Sequence, residues 1–281
     1  MNKLSTIHLH TNYSDGVNKA YEYIEEAIRL RLKSIGISDH SPVPFNSTWA
    51  MKKEDLSKYI AELDYLKRTY KKHISVYAGM ELDYIQGYNI KKYIDFDNLN
   101  LDYFIRSVHY IYSEITDSYG TADNSQEEVE KLISNGFNNN GVLFYKKYYQ
   151  TVREMIKEYD PIMIAHIDVL EKRNRNYELF NPDTEEYKNQ IENTLNCINK
   201  SCVEVNTGAM AKNIDVMYPS KYILKQCFKK KIPVSVNSDC HFISGLQYGY
   251  DKAKDTLLDI GYTHIFEYDG KFIKKNFKKC V

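Results

Sequence analysis

The feature that most constrains the fold of this 281-residue chain is an alternation of short strand-like runs with longer amphipathic helical patterns. The strand-like runs are 5–10, 34–40, 75–84, 102–111, 161–168, 202–208, 232–241 and, more weakly, 263–268. The helical patterns are 18–33, 53–72, 144–159, 184–200, 219–230 and 251–260. Such alternation favours a mostly parallel sheet covered by helices, because parallel strands need crossover connections. Seven or eight strand–helix units in a chain of this length predict a closed or distorted (βα) barrel, with a doubly wound open sheet as the alternative.

One polar stretch, residues 112–141, interrupts this alternation. It lacks a sustained period, apart from a short helical pattern near 126–133, and a long excursion of this kind often serves as a lid. No linker or shift of composition divides the chain, so we expect residues 1–281 to form a single domain.

The charge balance argues against partners that need a basic surface. Lys and Arg total 38, and so do Asp and Glu, which makes the formal net charge zero. We therefore expect neither nucleic acid nor an anionic membrane as a partner. Five cysteines without a CxxC pair (Cys197, Cys202, Cys227, Cys240 and Cys280) and a start without an apolar signal core favour the cytoplasm.

Histidines and carboxylates gather where the predicted strands end. In the first run, "TIHLHTNYSDG", two histidines one residue apart share a strand face, and an aspartate follows in the loop. Later runs add further side chains of the same kinds, which brings the set to His8, His10, Asp15, His40, Glu81, His109, His166, Asp239 and His241. In a parallel barrel the carboxyl ends of all strands meet at one face, so these nine side chains should converge.

The combination, rather than any single residue, points to a metal centre. A lone histidine is more often structural, and of the eight histidines only His73 and His264 avoid the strand ends. Imidazoles with carboxylates suit zinc, manganese or iron better than calcium. Nine ligands are too many for one ion, so we expect two or three.

The same residues carry a family resemblance. The motifs "HLHTNYSDG", "SDH", "GMELDY", "SVHYI", "AHIDVLEK", "EVNTG" and "NSDCH" resemble, in order, those of the polymerase and histidinol phosphatase (PHP) superfamily. Within it, Asp15, the chain length, the long segment after "SVHYI" and the ending "IFEYDGKFIKK" make the chain most similar to the monofunctional histidinol-phosphatases. Members often have Gly before the Ser of the fourth motif, where this chain has Arg106.

The resemblance implies a distorted (βα)7 barrel with a trinuclear site. By motif, the first ion would be held by His8, His10, Glu81 and Asp239, the second by Glu81, His109 and His166, and the third by Asp15, His40 and His241. Glu81 would bridge two ions, and catalysis would rest on Glu81, Asp15, His40, Asp239 and His241. The implied reaction is hydrolysis of L-histidinol phosphate, a small phosphate monoester, to L-histidinol and phosphate in histidine biosynthesis.

Substrate contacts are predicted from charge. Arg106, Arg173 and Arg175 are candidates for phosphate or lid contacts, because guanidinium pairs its donors with phosphate oxygens. Asn206 is a candidate at a strand end. The segment 112–141 carries Glu114, Asp117 and Asp123, which we expect to help recognise the amino end of the substrate.

Three other functions are compatible with parts of the pattern. A PHP enzyme can act on nucleotides or nucleic-acid ends, as a phosphoesterase or exonuclease, although the zero net charge argues against it. A metal-dependent amidohydrolase would use a barrel and HxH, usually with a lysine or a modified ligand. A non-enzymatic metal-binding or polymerase-associated module would keep the motifs without turnover.

Overall fold

A computed structural model describes residues 4–277. The strands are β1 (Ser34–Ile37), β2 (Ser75–Asp83), β3 (Tyr103–Ser107), β4 (Tyr110–Ser113), β5 (Ser118–Thr121), β6 (Met163–Ile164), β7 (Cys202–Asn206), β8 (Val234–Asn237), β9 (His264–Tyr268) and β10 (Phe272–Asn276). The helices are α1 (Ala20–Arg29), α2 (Leu56–Tyr70), α3 (Ile90–Tyr93), α4 (Gln126–Gly136), α5 (Gly141–Tyr159), α6 (Glu185–Leu195), α7 (Gly208–Ala211), α8 (Lys221–Lys230) and α9 (Tyr250–Ile260). No described helix combines the length and the apolarity needed to cross a membrane.

The central sheet is a closed, distorted barrel. Six strands run parallel in the order β1, β2, β3, β6, β7 and β8. The irregular N-terminal segment lies between the two edge strands, since Thr6 bridges Ile35 of β1 and Leu9 bridges Cys240, which follows β8. Backbone hydrogen bonds of 2.8 Å from Gly36 to Thr6 and 3.0 Å from His10 to Cys240 join it to both sides. The N-terminal segment thus takes the seventh strand position, which confirms the distorted barrel and excludes the open sheet.

A tyrosine fills the barrel interior below the strand ends. A Cβ on Gly79 would lie 2.1 Å from the Tyr103 ring, and one on Gly36 would lie 2.4 Å from its hydroxyl oxygen. The Tyr103 hydroxyl donates a 2.7 Å hydrogen bond to the carbonyl of Ile7. Only glycine leaves room for this ring, so the two glycines let one aromatic side chain tie three parts of the barrel together.

Most predicted elements are confirmed, and the differences come from strand pairing. The predicted strand 102–111 divides into β3 and β4, because β4 leaves the barrel and pairs antiparallel with β5. The weak strand 263–268 is β9, and it forms a separate antiparallel hairpin with β10 rather than a barrel strand. The helix predicted to end before Gly261 does so, with Gly261 at φ 113° as its left-handed cap.

Residues 112–141 are ordered and contain strand, hairpin turn and helix. The hairpin β4–β5 and helix α4 pack together, and the helix predicted at 126–133 extends over Gln126–Gly136. Its N-cap Ser125 accepts a hydrogen bond from the backbone of Glu128, and Leu132 lies against Gly120 of the hairpin. The four cysteines within residues 4–277 have free thiols, and Cys280 lies outside the described residues.

Candidate metal centre

The structure brings all nine predicted ligands together at the carboxyl ends of the barrel strands. His8 and His10 lie in the N-terminal segment, Asp15 follows it, and Glu81 lies within β2. The others follow strands: His40 after β1, His109 after β3, His166 after β6, and Asp239 and His241 after β8. His40 forms a parallel β-bridge with Glu81, which puts two ligands of neighbouring strands side by side. The convergence follows from the parallel topology, because each strand delivers its end to the same face.

Glu81 lies at the centre of this cluster and is fully buried. Its Oε2 lies 3.0 Å from His40 Nδ1 and 3.2 Å from His8 Nε2. Its Oε1 lies 3.1 Å from His166 Nε2. Burial raises the pKa of Glu81, but the charges of His40 and His8 outweigh that effect and hold the pKa well below its usual value. A carboxylate with imidazoles against both oxygens has the placement of a bridging ligand.

The ligand atoms form overlapping groups. One comprises His8, His10 and Asp239, in which His10 Nε2 lies 3.0 Å from Asp239 Oδ1. A second comprises His8, Glu81 and His166, and His109 stands further out, with its Nε2 3.8 Å from Glu81 Oε1. The two groups share His8.

A third group includes Asp15, from the loop after the first two histidines. It comprises His10, Asp15, His40 and His241, so it contains the three residues predicted for a third ion with His10 added. Its closest pair is His241 Nε2 and Asp15 Oδ2, 3.1 Å apart.

The donor atoms fit divalent transition metals. Within the described chain, His10 Nδ1 and His40 Nδ1 are buried without a hydrogen-bond partner. Each nevertheless faces a carboxylate oxygen, at 4.0 Å from Asp15 and 3.0 Å from Glu81. Buried polar atoms are rarely left unpaired, and an ion held between imidazole and carboxylate would account for these atoms. The cluster therefore fits a divalent metal centre.

Crowding of the imidazoles perturbs their proton affinity in opposite directions. Burial, together with the charges of His40 and His241, lowers the pKa of His10 to about 3. Burial also lowers the pKa of His109, but Asp83 outweighs it and raises that pKa to about 10. Neighbouring imidazoles thus differ widely in their proton affinity, and metal ligation requires all of them neutral.

Two buried carboxylates behind the ligands were not predicted from the sequence. Asp83 Oδ1 lies 2.7 Å from His109 Nδ1, and Glu204 Oε1 lies 2.7 Å from His8 Nδ1. Strand periodicity contained the signal, since Asp83 shares a strand face with Glu81 two residues earlier. Carboxylates that hold the far nitrogen of a ligating histidine are a recurring feature of metal sites.

A pocket opens over the ligands, and cations lie around it. Lys172, Arg173 and Lys212 line it, together with Trp49 and Tyr218. Lys172 Nζ pairs with Asp123 Oδ2 at 2.6 Å, whereas Lys212 forms no ion pair among residues 4–277. The pocket therefore offers positive charge next to the metal ligands, as an anionic substrate group requires. Charge patterning alone did not single out Lys212.

Of the three arginines predicted to contact substrate, only Arg173 lines the pocket. Arg173 lies at the pocket and donates hydrogen bonds to the backbone carbonyls of Asp123, at 3.0 Å, and Asn124. Arg175 is exposed and does not line the pocket. The prediction for Arg106 does not fit the structure, because its neighbours on β3 point into the barrel and its own side chain points outward. Its guanidinium lies over the Tyr159 ring, 3.5 Å from the centroid.

Of the remaining predicted contacts, Asn206, Glu114 and Asp117 do not line the pocket, whereas Asp123 does. Asn206 is fully buried and donates to Asp239 Oδ2 at 3.0 Å, so it positions a ligand instead of reaching the pocket. Glu114 pairs with Lys147, and Asp117 accepts from Tyr112, both on the outer surface. Asp123 lines the pocket.

Comparison with known proteins places this site in a family. A model of the PHP domain matches residues 6–208, more than half of the chain. The histidinol-phosphatase of Bacillus subtilis (strain 168) is 28% identical over 261 residues, which cover 87% of this chain and 96% of that protein.

Two solved structures share the fold. A candidate histidinol phosphatase from Listeria monocytogenes superposes with a TM-score of 0.76 at 21% identity, covering 88% of this chain and 99% of its own. Histidinol phosphate phosphatase from Lactococcus lactis subsp. lactis Il1403, solved with zinc, L-histidinol and phosphate, has a TM-score of 0.70 at 18% identity, covering 98% of this chain and 100% of its own. With the closed barrel and the converged ligands, the domain match shows that this chain belongs to the PHP domain family.

Proposed function

We propose that this chain is a metal-dependent phosphomonoesterase that hydrolyses L-histidinol phosphate to L-histidinol and phosphate, the hydrolytic step of histidine biosynthesis. The observation that carries the proposal is the cluster of buried imidazoles and carboxylates beneath a pocket lined by Lys172, Arg173 and Lys212. The names of the relatives support the choice of substrate, since the matching proteins are described as histidinol-phosphatases.

The ligand groups would hold two or three ions, of zinc, manganese or iron. His8, His10 and Asp239 would serve the first, His166 and His109 the second, and Asp15, His40 and His241 the third, with Glu81 shared between the first two. Bound divalent ions would supply Lewis acidity toward phosphate and lower the pKa of a water nucleophile. Glu81 would fix the spacing of the ligand groups on its two sides.

The cations of the pocket would orient the phosphate group. Lys212 has no ion pair within the described residues, so its ammonium group is available to a phosphate oxygen. Arg173 is held against the backbone of Asp123 and Asn124, which ties its guanidinium to segment 112–141. Charge-assisted hydrogen bonds of this kind are stronger than neutral ones.

The other end of the substrate would lie against the walls of the pocket. Trp49 offers an aromatic face beside His109, with ring centroids 6.5 Å apart. Asp123, the one acidic residue of segment 112–141 that lines the pocket, pairs with Lys172 and would also contact the amino group. The placement of Asp123 supports a role of segment 112–141 in substrate recognition.

We further infer that residues 1–281 act as one domain and take a small molecule in preference to nucleic acid. Barrel closure joins Leu9 to Cys240, so the described chain has no division between its two ends. The zero net charge offers no general attraction for a polyanion.

A phosphate-release screen tests the proposed function. Purified protein loaded with zinc, manganese or iron is assayed with L-histidinol phosphate, phosphotyrosine, nucleoside monophosphates and short oligonucleotides. We expect kcat/KM to be highest for L-histidinol phosphate. A clear preference for a nucleotide or an oligonucleotide would overturn the substrate assignment, and no hydrolysis of any substrate by metal-loaded protein would overturn the enzymatic function.

A further inference from the structure

Glu204 is a buried carboxylate of strand β7 that lies beneath the ligand cluster and outside the pocket. Its side chain has no exposed surface. It does not line the cavity above the ligands, so substrate cannot reach it. A buried carboxylate is unfavourable unless its oxygens are paired, and its contacts therefore indicate what it does.

Each contact of Glu204 leads to a proposed metal ligand. Its Oε1 lies 2.7 Å from Nδ1 of His8. Its Oε2 accepts hydrogen bonds of 2.9 Å from the backbone N–H of His166 and 2.9 Å from the side-chain amide of Asn206. The same amide nitrogen of Asn206 donates to Asp239 Oδ2 at 3.0 Å. One carboxylate thus contacts, directly or through Asn206, ligands on both sides of Glu81.

These contacts determine the orientation of the ligand atoms. With a proton on Nδ1 shared with Glu204, the other nitrogen of His8 keeps its lone pair toward Glu81 and Asp239. The backbones at His166 and Asp239 have φ of 20° and 43°, in or at the edge of the left-handed region that non-glycine residues seldom adopt. Such conformations persist where surrounding contacts fix them, and Glu204 supplies one at His166.

Asp83 offers a natural contrast. It also holds the far nitrogen of a ligand, His109 Nδ1, at 2.7 Å, and it accepts from the backbone of the same residue at 3.3 Å. Both of its contacts therefore serve a single ligand. The two buried carboxylates differ in how many ligands they orient.

We propose that Glu204 is a positioning residue that couples two ion sites, so that its carboxylate sets the affinity for the ion at His8 and Asp239 together with that for the ion at His166. This inference rests on the proposed function, because it assumes that the ligand cluster holds metal.

The test compares metal uptake of the whole protein and three variants. Glu204→Gln keeps the size of the side chain but leaves one acceptor oxygen, so either His8 Nδ1 or the donors at His166 and Asn206 would face an amide. Asp83→Asn makes the same change behind one ligand. Glu267→Gln is the matched control, since Glu267 is buried, accepts from the backbone of Ser5 at 2.9 Å and pairs with Lys275, away from the pocket.

Metal-free protein is equilibrated with buffers of graded free zinc, and bound zinc per chain is measured by elemental analysis. We expect two of the bound ions in Glu204→Gln to need about 10- to 100-fold more free zinc, the effect typical of losing a partner behind a ligand. In Asp83→Asn the affinity for one ion alone should fall, and zinc uptake by Glu267→Gln should match that of the wild type. With cobalt in place of zinc, the visible absorption spectrum of Glu204→Gln should also change.

Circular dichroism of the metal-free variants shows whether each one folds. If Glu204→Gln does not fold, Asn206→Ala is used in its place. This variant breaks the link from Glu204 to Asp239 and keeps Glu204 itself, so we expect the affinity for the first ion alone to fall. If the folded variant binds zinc as Glu267→Gln does, or if Glu204→Gln loses affinity for one ion alone, the inference is overturned and the proposed function stands. Wild-type protein that takes up no zinc would refute the proposed function as well.

Discussion

Replacing Glu81 with glutamine changes the cluster at the point where its ligand groups meet. The carboxylate has His8 and His40 against one oxygen and His166 against the other. Glutamine keeps the shape but turns one oxygen into an amide nitrogen, which donates hydrogen bonds and does not ligate metal. Whichever way the amide turns, the imidazoles on one side of residue 81 face an amide nitrogen in place of a carboxylate oxygen.

The expected loss of activity follows from this geometry. One of two ions would lose its shared ligand, and the phosphate and the nucleophile would no longer be held at a fixed spacing. We expect kcat to fall by about three orders of magnitude or more, which corresponds to about 4 kcal/mol of transition-state stabilisation. The barrel should stay folded, because Tyr103 and the layer around it fill the interior below the site.

Phosphate release from L-histidinol phosphate measures the effect, with bound metal per chain determined on the same samples. Glu267→Gln serves as the control for loss of a buried carboxylate away from the pocket. A folded Glu81→Gln variant with turnover near that of the control would show that Glu81 does not bridge two ions.

Three further outcomes follow from the structure. Lys212→Met should raise KM for L-histidinol phosphate about 10- to 100-fold in steady-state assays, since it removes a charged hydrogen bond to phosphate, and an unchanged KM would place the phosphate elsewhere. Arg106→Leu should leave kcat/KM within about twofold, because Arg106 lies over Tyr159, and a large loss would restore it as a substrate contact. Burial lowers the pKa of His109, but Asp83 outweighs that effect and raises the pKa to about 10, so this imidazole is protonated in the metal-free protein at pH 7.5 and zinc must displace its proton. Calorimetry of zinc binding in buffers of different ionisation enthalpy should therefore detect proton release, and enthalpies independent of the buffer would contradict this protonation state.

The ligand set could be predicted because strand ends are visible in the sequence. His40, Glu81 and His166 each stand near the end of an apolar run, and parallel topology brings such ends together whatever the details of packing. Arg106 was predicted as a phosphate contact from its charge, which does not report the direction of a side chain, and the alternation of β3 sends this side chain to the outer face.

The hairpin of residues 110–121 was not predicted, since its strands are stabilised by tertiary contacts instead of a local pattern. Ser113 on β4 donates to the carbonyl of Gly136, and Gly120 on β5 packs against Leu132, both on helix α4. The antiparallel partner of β9 was missed for a similar reason, because β10 is polar and its strand character comes from pairing.

The most direct test is turnover of L-histidinol phosphate as a function of bound metal. Protein stripped by a chelator is reloaded with zinc, manganese or iron in increments, and kcat and bound ions per chain are measured at each step. We predict no turnover without metal and full turnover once more than one ion per chain is bound, because Glu81 stands between two ligand groups. Full turnover by metal-free protein, or no turnover by protein that carries two or more ions, would contradict the assignment.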